Sequence, residues 1–175
     1  MTPSPRLSRA ALFIMIVGAI VWLGGVNIRA MIGDDMLKTG TLEFEEYLAP
    51  EAEREIFRLM SFASVIIMIS YAVVLVSATL FLVTTPLRLK ENGWLMMSAI
   101  LFYAFVPVEL FTMYLDAEMV YMEFFTTAGN EVFRELFIAR LAALAGAPVI
   151  ALLCYYTIIA LAVFRPFVRP AQAKA

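Results

Sequence analysis

Histidine is absent from the 175 residues of this chain, and cysteine occurs once, as Cys154. Without histidine there is no imidazole to hold haem iron or zinc, and the commonest general base is missing. A single cysteine excludes an intramolecular disulfide. Charge is scarce too, at 16% of the chain, and it stands between long apolar runs. No P-loop, Gly-x-Ser-x-Gly, Cys-x-x-Cys, His-Glu-x-x-His or dinucleotide fingerprint occurs. The few basic residues are explained by membrane topology, which argues against nucleic-acid binding. No enzyme activity, cofactor or metal centre is expected.

What the chain has in abundance is apolar sequence: 63% of residues, with a mean hydropathy of +0.87. Soluble domains are about half apolar. The pattern predicts an all-α membrane protein, a four-transmembrane-helix bundle with spans at about 10–32, 56–85, 93–115 and 134–164. Each run is long enough to cross ~30 Å of hydrocarbon at 1.5 Å per residue. Arg6 and Arg9 before the first run suggest a signal peptide, but the run is long for one and Ile28-Arg29-Ala30 is a poor cleavage site. A retained first helix is expected. Residues 1–9 and 166–175 read as disordered cytoplasmic ends, and 33–55 and 116–133 as acidic outer loops. Pro50 with Glu51 and Glu53, and Asn130 with Glu131, are helix-start signals, so helices 2 and 4 are expected to begin outside the bilayer. The segment Leu42–Leu48, mixing acidic and apolar residues, is expected at the outer interface.

Orientation follows from the basic residues in the short flanks. Arg6, Arg9, Arg88, Lys90, Arg165, Arg169 and Lys174 fall on one side with the single acid Glu91. Lys38, Arg54, Arg58 and Arg134 fall on the other, among nearly all the acids. The expectation is N-in/C-in in a bacterial inner membrane, with both termini cytoplasmic. Glu55-Ile-Phe-Arg58 at the start of span 2 recurs as Glu131-Val-Phe-Arg134 at the start of span 4. This reads either as two parallel two-helix hairpin repeats or as the shared chemistry of helices leaving one interface.

Three ionisable residues fall at membrane depth: Arg29, Glu109 and Arg140. Charges there are costly and normally face a bundle interior or a water-filled cavity. Glu109 precedes Asp116 by seven residues, about 10 Å along a helix, and Arg140 follows Glu131 by about 13 Å. They form a candidate cluster with Asn27, which Thr112, Tyr103 and Tyr114 would extend. One reading is a structural Glu109–Arg140 salt bridge with Arg29 snorkelling to the head groups. The other is a polar pocket for a small ion, solute or lipid head group. Pro107 and the Gly146–Pro148 segment are expected to distort helices 3 and 4. Met31, Met36, Met60, Met113, Met119 and Met122 lie near the outer boundary, where packing is expected over Cu(I) ligation because no Met-x-x-Met cluster occurs. The acids Glu43, Glu45 and Glu46 lack a calcium-loop pattern. Small residues (Gly24, Gly25, Ser70, Ser77, Ala139, Ala142, Ala143 and Gly146) permit close helix contacts. The expected partners are membrane lipids and other membrane subunits or a second copy. The expected role is a non-catalytic accessory or interaction subunit of a membrane assembly, with a small oligomeric carrier or channel as the alternative.

Overall fold

The computed structural model describes residues 5–46 and 48–168, and the side chains of all of these except Ala143 and Ala145. Within them lie five α-helices: α1 (Pro5–Asp35), α2 (Pro50–Thr84), α3 (Gly93–Phe125), α4 (Asn130–Ala142) and α5 (Ala147–Phe164). A single 3-10 turn, Ala143–Gly146, joins the last two. Four of the helices, α1, α2, α3 and α5, are long and apolar enough to cross a membrane.

The helices outrun the expected spans, and the reasons are local. α1 starts at Pro5, so residues 5–9 are helical rather than disordered; proline's fixed φ suits a first turn. Met1–Ser4 and residues 169–175, the rest of the expected disordered ends, lie outside the described residues. Residues 166–168 are anchored: the Gly93 amide donates to the Phe167 carbonyl at 3.1 Å, and Asn92 and Val168 form a bridge. A Cβ at Gly93 would meet Phe167 Cβ at 2.8 Å, so only glycine permits this approach. α2 begins at Pro50 and α4 at Asn130, in keeping with their start signals. α3 runs through Pro107 without a break and continues to Phe125, which reduces the expected loop 116–133 to the connection at 126–129. The fourth span is split. Gly146 takes a left-handed φ of 86°, open to glycine at no steric cost, and Pro148 enters the first turn of α5.

Packing follows heptads. The buried residues of α1 are Ser8, Ala11, Gly18, Trp22, Arg29 and Gly33, and those of α2 include Phe57, Met60, Ser64, Ile67, Tyr71, Val74, Ala78 and Phe81. Steps of three, four and seven keep one seam facing the neighbour, as in left-handed helix pairs. Lipid supplies no hydrophobic drive for helix association, so close approach at small residues does the work. A Cβ on Gly25 would sit 2.8 Å from Ile67, and one on Gly33 2.8 Å from Phe137. Gly24 meets nothing within 4 Å, so of the Gly24-Gly25 pair only the second is a contact point. α1 packs mainly on α2 and α3 on α5, with α2 against α3 joining the two pairs. α1 and α5 stay apart along their backbones and are bridged by side chains.

Three apolar clusters lie along the helices. At one end Ala11, Phe81 and Leu95 pack together, near the start of α1, the end of α2 and the start of α3. In the middle are Trp22, Ile67, Tyr71, Val74, Ala151 and Tyr155. At the other end Met36, Met60 and Met119 pack with Phe57, Phe133 and Phe137. These methionines are core residues. The first loop folds onto this end: Leu37 bridges Phe44 across a turn at Gly40 (φ 77°), and the Phe44 ring lies 5.9 Å from Phe137 and 6.2 Å from Phe57. Phe44, expected at the interface, thus helps close the core; Tyr47 lies outside the described residues.

Candidate functional site

α3 carries its inward carboxylates at Glu109, Asp116 and Glu123, seven residues apart, so two helical turns bring each back to nearly the same face. Each is held by different helices. Glu123 of α3 pairs with Arg54 of α2 at 2.8 Å, and the Arg54 guanidinium also lies 4.4 Å over the Phe133 ring. Asp116 takes Arg29 of α1 and Arg140 of α4 on the same oxygen, Oδ1, the latter at 2.6 Å. Arg29 donates in addition to Ser64 Oγ of α2 at 2.5 Å. Glu109 accepts from the Tyr155 hydroxyl of α5 at 3.0 Å. α3 is therefore keyed to all four other helices by charge or hydrogen bonds.

The central node is the most deeply buried. Asp116 is 1% exposed and Arg29 4%. Arg29 therefore does not snorkel; it points inward, where a carboxylate and a hydroxyl replace its water. The expected Glu109–Arg140 salt bridge is also corrected: Arg140 bonds to Asp116, one heptad further along α3, and Glu109 bonds to Tyr155. Glu109 lies one heptad from Asp116 on α3, within electrostatic reach of both Asp116 and Arg140. Asn27 stands apart from this node. Its amide donates to the Leu23 carbonyl at 2.6 Å and accepts from the Tyr156 hydroxyl of α5 at 2.9 Å. Of the expected extensions, Thr112 turns its hydroxyl to the Glu109 carbonyl, Tyr103 meets Thr79 at 2.8 Å, and Tyr114 meets Glu118 at 2.5 Å.

No known protein family, curated protein or solved structure matches the chain.

Below Glu109 the chemistry becomes aromatic. The Trp22 ring lies 4.7 Å from Tyr155 and 4.9 Å from Tyr71, closing the gap between α1 and α5. The Trp22 indole nitrogen and the Tyr71 hydroxyl are buried without a protein partner. Tyr71 is within electrostatic reach of Glu109. Buried donors of this kind are rare and are usually satisfied by ordered water.

A second polar layer caps the acidic end. Arg134 of α4 grips Glu53 of α2 with two bonds, Nε at 2.5 Å and Nη2 at 2.9 Å, and Asn130 adds a third at 3.2 Å. Glu53, at the first turn of α2, is 2% exposed. In the loop, Lys38 pairs with Glu46 at 2.8 Å; this hydrogen bond and charge hold Lys38 above and Glu46 below their ordinary values. Among the described residues no group of His, Cys, Asp or Glu side chains is arranged to hold a metal ion.

Asp116, Glu123, Arg54, Glu53 and Ser64 were not in the polar cluster expected from the sequence. The acids looked like loop charge. The signal that marks Asp116 and Glu123 is their heptad spacing, seven and fourteen residues from Glu109 on the same helix.

Proposed function

We propose that this chain is a non-catalytic inner-membrane protein that acts as an accessory or interaction subunit of a larger membrane assembly, with both termini on the cytoplasmic side. The observation that carries this reading is the commitment of α3's carboxylates: Glu109, Asp116 and Glu123 are each bound to a partner on another helix. The groups best suited to acid–base work are thus occupied in fixing helix register, the best-attested use of buried ionic groups. The orientation rests on the basic residues at the end where α2 leaves and α3 begins, and the parity of four apolar helices agrees with it. Purification in mild detergent followed by native mass spectrometry tests the proposal. Reproducible co-purifying subunits are expected; a lone, monodisperse monomer would count against it.

A second reading, a small oligomeric carrier, is favoured by the buried, unpartnered Trp22 and Tyr71 donors beside Glu109. Flux into proteoliposomes unchanged by Glu109→Gln and Arg140→Gln together would dispose of it. The hairpin duplication draws support from the stacking of Phe57 on Phe133, equivalent positions of the two motifs, at 5.6 Å. Against it, Arg58 bonds within its own helix to Glu55 whereas Arg134 reaches across to Glu53.

A further inference from the structure

The face of the α1–α2 pair away from the polar node carries two adjoining grooves of about 390 and 490 Å³, which share Ile14, Ile69 and Val73. Their floor is made by small residues, Gly18 and Ser70 in one and Ala11 and Ser77 in the other. Both serines turn their hydroxyls onto their own helix, Ser70 to the Ile66 carbonyl at 2.7 Å and Ser77 to the Val73 carbonyl at 2.6 Å. The groove therefore offers no polar atom to a ligand, which excludes a solute or an extended peptide, whose amides need partners.

The groove is apolar along its length and charged at one end. Its last lining residues are Leu7 on α1 and Leu80 on α2. The exposed arginines Arg6 and Arg9 flank Leu7, and exposed Arg88 and Lys90 follow the end of α2. Such a site fits an amphiphile with a long apolar chain and one anionic end. A partner helix fits less well, because at this level it would present its own basic flank against these arginines.

We propose that the α1–α2 groove binds an acyl chain of an anionic phospholipid, whose phosphate lies against Arg6 and Arg9. The proposal rests on the membrane-spanning, N-in reading above. Each basic residue at an anionic membrane surface is worth about a factor of five in binding, so Arg6 and Arg9 together predict roughly 25-fold preference over a zwitterionic lipid.

The test uses the full chain, first shown to remain in alkali-washed membranes, so that failure to span a bilayer is detected separately. Thermal melts and native mass spectra are then compared after adding phosphatidylglycerol, phosphatidylcholine with the same chains, or the free fatty acid. Phosphatidylglycerol is expected to raise the melting temperature and to stay bound. Arg6→Gln with Arg9→Gln should remove the preference. Ala10→Leu with Ala72→Leu, both exposed groove positions, should remove binding while leaving the lipid-free melt unchanged. Equal retention of the two phospholipids, equal stabilisation by the fatty acid, or undiminished binding to the groove-filled variant would each overturn the proposal.

Discussion

Replacing Asp116 by asparagine keeps the shape of the side chain and removes its charge. In the native protein one carboxylate oxygen serves both Arg29 and Arg140. After the change Arg29, 4% exposed, keeps only neutral acceptors, the new amide oxygen and the Ser64 hydroxyl at 2.5 Å, and no longer faces a carboxylate within bonding distance. Stripping a buried ion pair of one partner costs about 3–5 kcal/mol, because the remaining charge is left without compensation. An interhelical hydrogen bond inside a membrane averages only about 0.6 kcal/mol. The charge, not the lost contact, therefore sets the size of the effect. For a chain of this length it corresponds to a melting temperature lower by about 6–20 °C, against about 1–2 °C for Ser64→Ala. Thermal unfolding in mild detergent, followed by the fluorescence of Trp22 and Trp94, reads both. Arg29→Met leaves Asp116 paired with Arg140 and should cost less than Asp116→Asn. The double variant should cost less than the two singles added, since both remove the same interaction. If Asp116→Asn melts with the wild type, or if the singles add, the buried node does not hold the helices as described.

Other expectations follow from single contacts. Gly25→Val drives a side chain into Ile67, 2.8 Å from the new Cβ, and should destabilise by about 1–3 kcal/mol in the same melts, whereas Gly24→Ala, with nothing within 4 Å, should be neutral or stabilising. Arg134→Lys loses the two-pronged grip on Glu53 and should cost about 1–3 kcal/mol, although the charge is retained. The loop pair Lys38–Glu46 gives a titration rather than a stability test, because Glu46 is exposed and Lys38 reaches solvent, so the pair is screened. Glu46 is held below the ordinary carboxylate value, so the contact is present above that value and is lost as pH falls through the depressed one; Lys38, held above its ordinary value, loses the contact only as pH rises past it. Carboxyl NMR should show Glu46 returning toward the ordinary value in Lys38→Met.

The helices were legible because hydropathy is local: a long apolar run needs no knowledge of its neighbours to be read. So were the starts at Pro50 and Asn130, where the residue types answer to the geometry of a helix terminus. The extension of α3 to Phe125 was not, because Asp116, Glu118 and Glu123 look like solvent-facing charge. What makes them compatible with a packed helix is far away in sequence: Arg29 for Asp116 and Arg54 for Glu123. Composition placed Arg29, Glu109 and Arg140 near one another, but it could not choose their partners. Arg140 lies within the field of Glu109 and the bond of Asp116, and a one-heptad difference decides between them. The seven-residue spacing of the three acids was visible and pointed to one helical face. The folding of Phe44 onto Phe57 and Phe137 left no comparable trace, since one aromatic residue in an acidic loop suits an interface equally well.

The central claim, a chain threaded four times through a bilayer and keyed by α3, is tested most directly by site-specific labelling. Single cysteines at Glu45, Ala128, Lys90 and Arg6, in a Cys154→Ser background, are treated in intact cells with a membrane-impermeant maleimide. Positions 45 and 128 should label from outside, and positions 6 and 90 only after the cells are opened. Labelling of positions 45 and 90 from the same side would contradict the account.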